Sequence, residues 1–366
     1  MVHVTEDVFA AGAVNPFTKK TEPIRRFTLS NGNRMSVQVI TLGATITSIK
    51  TEDVSGQLDD VTLGFDDLAG YQSDKNPYFG ATIGRVCNRV ANGRFRLDGE
   101  VVEVSKNRDN KFQLHGGFVG FDKAHWDVVA VRQDGVTLSH TNPDGHEGYP
   151  GQVTATVSFT LSEDNCLHVR MMAESDKPTP VNLTNHSYFN LAGHKAGANG
   201  LYEHTIEINA YGITETDKDS IPTGKVTLVD GTSFDLRVPS NLGERLKQLQ
   251  PARGYDDNFC VEFDPPQPFA NVARATHPPS GRWLEVVSNQ PGVQFYTSNF
   301  MPDVERGEPA IPGKGGAAYA KHGAFCLETQ KFPDSVNHSN FPSTTLRPGE
   351  HYNHEVIYKF GVSHTV

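Results

Sequence analysis

Alternation of apolar and polar residues with a period of two runs along much of this chain, and that period is typical of strands with one buried face. Residues 152–161 alternate valine, alanine, phenylalanine and leucine with threonine and serine. The polar residues 162–165 follow, and the alternation resumes at Leu167, which predicts an antiparallel hairpin. A second hairpin is predicted where two short apolar segments flank Asp98 and Gly99, a favourable pair for a type I′ turn.

The same pattern recurs along the chain and predicts an all-β fold. Further strands are predicted over residues 37–40, 205–208, 283–287, 293–296, 325–328 and 356–360. Helical patterns are scarce, and the best covers Ser240 to Leu249, with Ser240 as the expected N-cap. Turns spaced about 8–12 residues apart favour a β-sandwich or barrel with few short helices. No segment has the composition of an interdomain linker, so we expect residues 1–366 to form one large domain.

The charge balance narrows the class of partner. The chain has 33 lysines and arginines against 43 aspartates and glutamates, a formal net charge of -10. Nucleic acid and anionic membrane surfaces require a basic face, so this balance argues against both, and a neutral small molecule fits best. No apolar run reaches the roughly 18 residues that a membrane-spanning helix needs.

The cysteines and the first residues of the chain predict its compartment. The four cysteines are scattered, without a CxxC pair or the spacing of a metal site. The N-terminal residues lack the basic and apolar regions of a signal peptide. We therefore expect a cytoplasmic protein with free thiols. We also expect a monomer, because nothing in the sequence indicates an apolar interface.

One polar and aromatic octet, Thr184 to Leu191, lies between apolar, strand-like segments. It contains a histidine, hydroxyl groups, a phenol and two amides. This inventory could hold a polyhydroxylated ligand and transfer one proton to it. The alternative is a polar loop whose side chains satisfy local backbone groups.

Several other patterns argue against common catalytic sites. The chain lacks a G-x-S-x-G elbow and a complete P-loop. His146 and Glu147 begin like a zinc-protease motif, but Pro150 breaks the helix that the motif requires. His351 and His354 have no third ligand nearby, and we interpret them as part of a solvated turn.

Four further segments combine turns with groups that could bind or react. Asn88 and Arg89 could present donors to sugar hydroxyls, although an arginine bonded to carbonyls at a sheet end is an equal alternative. His115 precedes two glycines that permit close backbone approach. Asp256 lies in an acidic and aromatic cluster that could be an ordinary turn. Glu328 directly follows four apolar residues, and a carboxylate there is costly unless it is paired or functional.

These segments together resemble the galactose mutarotase (aldose 1-epimerase) family. The matching stretches occur in the family's order from about residue 60 to about residue 350. They are YFGATIGRVCNRVANGRF, LHGG, GFDKAHWD, DGHEGYPG, TPVNLTNHSYFNLAG, IPTG, FDLR, GYDDNF, QPGVQFYTSNF and FCLETQKFPD. Each string is weak alone, but ten in order are specific.

The resemblance implies a large antiparallel β-sandwich of the galactose mutarotase type, with the sugar site in an open cleft on one sheet. It implies that Glu328, in the LETQ stretch, is the general base that removes the C1 hydroxyl proton. It implies that His186, in the NHSY stretch, is the general acid that protonates the ring oxygen. Opening gives the free aldehyde, and rotation about C1–C2 followed by reclosure gives the other anomer.

The resemblance also implies the residues that bind the sugar. His115, Arg89 and Asp256 match ligand-contacting positions of the family, and Asn88, Tyr188 and Gln294 are expected to join them. Ser187 is included as well, with Tyr188, as a residue that holds the shape of the site. The expected substrates are free hexoses of the galactose or glucose type. The chemistry involves no redox step and no phosphate, so we expect neither cofactor nor metal.

Two other classes of function remain open from the sequence. A glycoside hydrolase would use Glu328 and Asp256 as its carboxylate pair, about 5–9.5 Å apart. A sugar-binding module would have the same cleft without chemistry. A hexose-6-phosphate epimerase would need additional cations around the cleft, which the acidic composition does not indicate.

Overall fold

Two broad antiparallel sheets packed through a shared apolar layer make up most of the fold in the computed structural model, which describes residues 1–249, 254–263 and 267–363. The larger sheet has nine strands. In spatial order they are Asp127–Arg132, Gly135–Asn142, Val153–Leu161, Cys166–Ser175, Tyr352–Val362, Arg282–Ser288, Ala270–Thr276, Thr205–Ile208 and Ser240–Asn241. Every neighbouring pair is antiparallel.

The second sheet has six strands and carries most of the polar side chains discussed below. In spatial order these strands are Tyr188–Phe189, Phe325–Gln330, Gly292–Tyr296, Asp256–Val261, Ala210–Thr216 and Pro222–Leu228. An N-terminal sheet adds five consecutive strands, His3–Val14, Thr21–Ser30, Ser36–Ile40, Thr45–Glu52 and Leu58–Asp60.

Short elements connect the sheets. Five two-stranded pairs are Thr82–Ile83 with Thr184–Asn185, Arg89–Val90 with Gln113–Leu114, Arg94–Leu97 with Glu100–Glu103, Thr179–Pro180 with Thr345–Leu346, and Ile311–Pro312 with Ala318–Tyr319. The described α-helices are Leu68–Gln72, Gly197–Tyr202 and Leu242–Gln248. Single 3₁₀ turns are Ala91–Gly93, Phe121–Lys123, His146–Gly148, Val304–Arg306, Lys314–Gly316 and Ser335–Asn337.

The register of the six-stranded sheet separates its two faces by chemistry. Gln294 lies directly opposite Glu328, and Tyr296 lies opposite Cys326 on one side and Asp256 on the other. Because side chains alternate along a strand, these residues share one face. The intervening aromatic and aliphatic residues point the other way, into the layer shared with the nine-stranded sheet: Phe189, Val293, Phe295, Phe325 and Leu327.

The apolar layer between the sheets determines which face of the six-stranded sheet carries the polar side chains. Phe189 contacts Phe325 within its own sheet and Tyr358 on the nine-stranded sheet, with ring centroids 5.9 and 5.5 Å apart. A slip of one residue in register would bury the polar set and expose the aromatic one. The large buried apolar area therefore stabilises a single register.

The predicted all-β sandwich with few helices is confirmed, as are both hairpins. The first hairpin pairs Val153–Leu161 with Cys166–Ser175, and the second turns at Asp98 and Gly99, whose φ values are both positive. None of the helices in the described ranges is long and apolar enough to cross a membrane.

Two local predictions were wrong. The helix predicted from Ser240 begins at Leu242, because Ser240 pairs in the nine-stranded sheet and Asn241 is the cap, accepting from the Glu244 N–H at 2.9 Å. His354 is not in a solvated turn. It is fully buried in strand Tyr352–Val362, where its Nε2 lies 2.8 Å from the Thr329 hydroxyl.

Candidate active site

A cleft of about 750 Å³ opens on the polar face of the six-stranded sheet. Its floor comes from strands of that sheet, which carry Glu328, Gln294 and Asp256. Its walls come from loops on either side and from the short strands near residues 88 and 114. Strands make a rigid floor, so the polar groups on it keep a fixed geometry.

Glu328 is the buried carboxylate of this floor. It is 2% exposed. Within the described part of the chain, its Oε2 atom has no hydrogen-bond partner. Burial raises its pKa well above the usual range, the nearby Asp256 adds to that shift, and Arg89 opposes it. A carboxylate oxygen left unpaired at this depth is available to a ligand hydroxyl.

His186 faces this carboxylate. Its Nε2 atom lies 3.6 Å from Glu328 Oε2. The imidazole stacks on Tyr188 with centroids 5.1 Å apart and planes 11° apart, and a second ring, Tyr78, lies 5.8 Å away at 20°. Burial lowers the pKa of His186 to about 4, against a smaller opposing effect of its backbone and of Asp256. The stacking fixes the ring plane, so Nε2 stays directed at the cleft.

The octet around His186 divides into two sets of residues. His186 and Tyr188 line the cleft, and the Tyr188 hydroxyl donates to the Pro77 carbonyl at 2.9 Å. Ser187 does not line the cleft, because its hydroxyl is turned to Asn185 Oδ1, 2.6 Å away. The amide of Asn185 in turn donates to the Gly80 carbonyl at 2.9 Å. The whole octet is buried, so it is not an exposed polar loop.

His115 completes the group of side chains near the carboxylate. Its backbone adopts a left-handed conformation, with φ 51°. At the following Gly116 a Cβ would lie 2.0 Å from the Gly84 carbonyl oxygen, so only glycine fits there. The Nδ1 atom of His115 accepts from the Asn88 backbone N–H at 3.2 Å, and burial holds the pKa of His115 well below the usual range. The neutral ring therefore carries its hydrogen on Nε2 and is a donor.

Arg89, Asp256 and Gln294 form a second polar group on the floor. One Asp256 oxygen lies 3.3 Å from Arg89 Nη2, and the other accepts from Gln294 Nε2 at 2.8 Å. Asn88 also lines the cleft and accepts from the Arg89 backbone N–H at 2.9 Å. These groups present both donors and acceptors to a polyhydroxylated ligand.

The two arginines of the GRVCNR stretch, Arg85 and Arg89, lie in different environments. Arg89 lines the cleft, whereas Arg85 is 2% exposed and lies away from it. Arg85 donates to the Asn142 side chain at 2.6 Å and to the Pro150 carbonyl at 2.9 Å. The interpretation of an arginine bonded to carbonyls at a sheet end therefore describes Arg85.

Three of these groups have the chemistry of metal ligands. The ligating atoms of His115, His186 and Glu328 all lie within 4.8 Å of one another. A metal-bound imidazole normally donates its far N–H to an acceptor. His115 shows the reverse arrangement, because its far nitrogen accepts a hydrogen bond and its near nitrogen carries the hydrogen. In this cluster the His115 Nε2–H is therefore a hydrogen-bond donor.

Sequence reasoning missed the walls of the cleft. Tyr78 contacts both histidines, with centroids 4.7 Å from His115 and 5.8 Å from His186. Phe300 is 74% exposed at the mouth and stacks on Tyr296. Tyr78 has φ 68°, a conformation uncommon for a bulky residue and often found at functional sites. No sequence pattern marks such a conformation.

Known proteins resemble this chain over nearly its full length. The family model described as aldose 1-epimerase matches residues 25–359. The galactose mutarotase of Rattus norvegicus is 44% identical, with 99% of this chain and 100% of that protein covered. The aldose 1-epimerase of Escherichia coli K12 is 34% identical, with 93% and 96% covered. An aldose epimerase homologue from C. elegans superposes with a TM-score of 0.83 at 28% identity, covering 92% of this chain and 98% of that one.

Proposed function

This chain belongs to the aldose 1-epimerase family and is an isomerase that interconverts the anomers of a free aldose; from that premise we propose that Glu328 is its general base and His186 its general acid. The substrates we propose are hexoses of the galactose or glucose type. The galactose mutarotase of Rattus norvegicus quoted above is 44% identical to this chain. The cleft offers hydroxyl-binding groups, and its three cationic side chains, Lys75, Arg89 and Arg108, are outnumbered by five carboxylates.

The reaction needs one proton removed and one supplied at neighbouring atoms. Glu328 as carboxylate takes the proton of the C1 hydroxyl while His186 as imidazolium protonates the ring oxygen. The C1–O5 bond breaks, and the open-chain aldehyde rotates about C1–C2. On reclosure Glu328 returns its proton to O1, and His186 takes the proton of the C5 hydroxyl. Each proton transfer contributes about 10²–10⁴-fold.

The observation that carries this proposal is the facing pair itself. His186 Nε2 and Glu328 Oε2 are 3.6 Å apart at the bottom of a cleft, and the Glu328 oxygen has no hydrogen-bond partner among the described residues. Their pKa values shift in opposite directions from their usual ranges. Groups with pKa values displaced in this way are typical of acid–base pairs.

We propose that the sugar is bound by six residues that line the cleft: His115, Arg89, Asn88, Asp256, Gln294 and Tyr188. We propose that Ser187 supports the conformation of the octet from outside the cleft. The Nε2–H of His115 adds a donor beside the acid. The Arg89–Asp256–Gln294 group offers a donor and acceptor array for vicinal hydroxyls. Asp256 has both oxygens engaged, which weighs against its use as the second carboxylate of a glycoside hydrolase.

Polarimetry on freshly dissolved α-galactose tests the roles. We expect Glu328→Gln and His186→Gln each to lower kcat by about 10²–10⁴-fold with a smaller change in KM. Arg85→Lys is a matched control away from the cleft and should keep kcat near the native value. Native kcat in either Gln variant would overturn the assignment. Release of aryl alcohol from aryl glycosides would instead support the hydrolase.

We also propose that residues 1–366 form one domain that acts as a cytoplasmic monomer. The main apolar cluster includes residues of the five-, six- and nine-stranded sheets, which supports a single domain. All four cysteines are buried and free, which supports a reducing compartment. Light scattering after size exclusion tests the oligomeric state, and a mass twice that of the chain would contradict it.

A further inference from the structure

Cys326 contacts the proposed acid at the ring nitrogen that does not face Glu328. Its Sγ atom lies 3.6 Å from His186 Nδ1, and both side chains are buried. The ring also interacts with the backbone of His186 itself, which raises its pKa by less than burial lowers it, and no other side chain forms a hydrogen bond to Nδ1 among the described residues. The strand Phe325–Gln330 therefore supplies both the base, Glu328, and the partner of the acid, two positions apart on one face.

We infer that Cys326 is a positioning residue: its sulfur accepts a hydrogen bond from Nδ1–H of His186 and so keeps the fixed proton of that ring on Nδ1. The inference rests on the proposed function. During turnover Nε2 must hold a proton in one half of the cycle and be bare in the other. A neutral imidazole with a bare Nε2 carries its hydrogen on Nδ1, and that buried hydrogen needs an acceptor.

Sulfur suits this role because it is a weak acceptor. Histidines that act as strong bases or metal ligands usually pair their far N–H with a carboxylate or carbonyl, which increases the basicity of the ring. A sulfur partner holds the hydrogen with a smaller increase in basicity, so the imidazolium remains a good acid. Burial raises the pKa of the Cys326 thiol well above its usual range, so the group is not a thiolate.

The groups that face His186 come from several elements, and they agree with this tautomer. They are Glu328 and Cys326 on one strand, His115, Asp256, Tyr78 and Tyr188. A protonated Glu328 would direct its O–H toward Nε2, which favours a bare Nε2. Tyr78 and Tyr188 lie nearly parallel to the imidazole and offer no acceptor to Nδ1.

The first test reads the tautomer directly, in enzyme without sugar. Long-range ¹H–¹⁵N correlation spectra of the histidine-labelled protein distinguish the two neutral tautomers, and the His186 signals are assigned by their absence in His186→Gln. We expect the hydrogen on Nδ1. A hydrogen on Nε2 would overturn the inference whatever the catalytic roles prove to be, so this failure is separate from failure of the proposed function.

The second test uses matched cysteine variants. We expect Cys326→Ala to lower kcat by about three- to tenfold, the effect of one hydrogen bond, with KM nearly unchanged. Cys326→Ser keeps an acceptor and should recover most of kcat. Cys260→Ala removes an equally buried sulfur from the same sheet, outside the cleft, and should keep native kcat. Equal kcat in the two alanine variants would overturn the inference, and their melting temperatures separate packing loss from this effect.

Discussion

At the scale of single residues, the proposed chemistry depends on a proton shared by two buried side chains. Burial lowers the pKa of His186 to about 4 and raises that of Glu328 well above its usual range. Between those two values the pair holds one proton in total. That is the number the reaction needs, because ring opening starts from a carboxylate and an imidazolium.

The pair predicts a bell-shaped dependence of kcat/KM on pH. Below about pH 4 a second proton enters at His186, Glu328 stays protonated and the base is lost. Above the raised pKa of Glu328 the pair loses its last proton, and the acid is lost. We expect activity to rise through the lower value and to fall through the upper one. Polarimetric kcat/KM measured from below pH 4 into the alkaline range covers both limbs, and a profile that rises continuously would contradict the shared proton.

Glu328 also predicts a gain of stability on substitution. A carboxyl whose pKa is raised by folding binds its proton more tightly in the folded state, so it destabilises the fold increasingly as pH rises above about 4.5. Glu328→Gln removes that cost, and we expect it to be more stable than the native enzyme by about 1 kcal/mol or more at neutral pH. Urea unfolding at pH 5 and pH 8 should show the larger difference at pH 8.

The sequence indicated the proposed reactive residues better than the residues that support them. Glu328 was marked by its place after four apolar residues, and the structure places it in the cleft with His186. The structure does not bring Ser187 into the cleft, because its hydroxyl turns to Asn185 Oδ1 in the connection between strands Thr184–Asn185 and Tyr188–Phe189. Tyr78 escaped notice because its place depends on a left-handed backbone conformation.

At the scale of elements, one wall of the cleft is held by a buried ion pair. Lys314 Nζ lies 2.7 Å from Asp60 Oδ2 and donates to the Thr47 carbonyl at 2.7 Å. Its 3₁₀ turn follows the segment that carries Glu308 and Ile311, both in the cleft wall. The segment 308–316 is thus tied to the five-stranded sheet near its end.

Breaking this pair should loosen the wall and cost stability. Lys314→Met leaves Asp60 buried without its cation, which typically costs about 3–5 kcal/mol. We expect that loss in urea unfolding, together with an increase in KM that exceeds the decrease in kcat. Lys195→Met is the control, because the Lys195 side chain is exposed and donates to the Gly315 carbonyl, and its replacement should cost about 0.5 kcal/mol or less. Similar losses in both variants would contradict the anchoring role.

Strand prediction succeeded where one face is buried. Strand 205–208 was predicted with its observed bounds, since alternation follows directly from pairing against a core. The helix start was displaced by two residues, because Ser240 is recruited to a sheet edge by residues distant in sequence. Pairing of that kind is a tertiary effect, and local pattern does not contain it.

At the scale of the whole molecule, buried neutral histidines determine how the fold responds to acid. Burial lowers the pKa values of His140, His204 and His354 to about 3 each. The unfolded chain binds protons at these groups below about pH 6.5, whereas the folded chain does not. The contribution of these neutral histidines to the free energy of unfolding is therefore complete above about pH 6.5 and is lost progressively as pH falls toward 3.

This predicts steep acid unfolding. Each group contributes about 1.4 kcal/mol per pH unit in that window, or about 4 kcal/mol per unit for the three together. Urea titrations at pH 7, 6 and 5 measure the slope. His140→Gln should reduce the slope by about 1.4 kcal/mol per pH unit, whatever its effect at pH 7. A stability that hardly changes between pH 6 and pH 5 would contradict the prediction.

The overall architecture was accessible from the sequence because its periodicity and its ordered motifs agree. The division of labour between sheets was not, since which face of the six-stranded sheet meets the core depends on pairing across the whole chain. Arg85 and Arg89 illustrate this, because four positions separate a structural cation from a cleft residue. The local sequence pattern does not distinguish the role of Arg85 from that of Arg89.

The floor of the cleft is made of strands and its walls are made of loops, so the two parts can be engineered separately. Glu328 belongs to a strand and His186 to a buried octet, whereas loops near residues 74–78 and 300–311 surround the entrance. Exchanging those entrance loops between relatives should transfer preference for one aldose over another while turnover number is retained. Selectivity and rate would then be adjustable as separate variables in this scaffold.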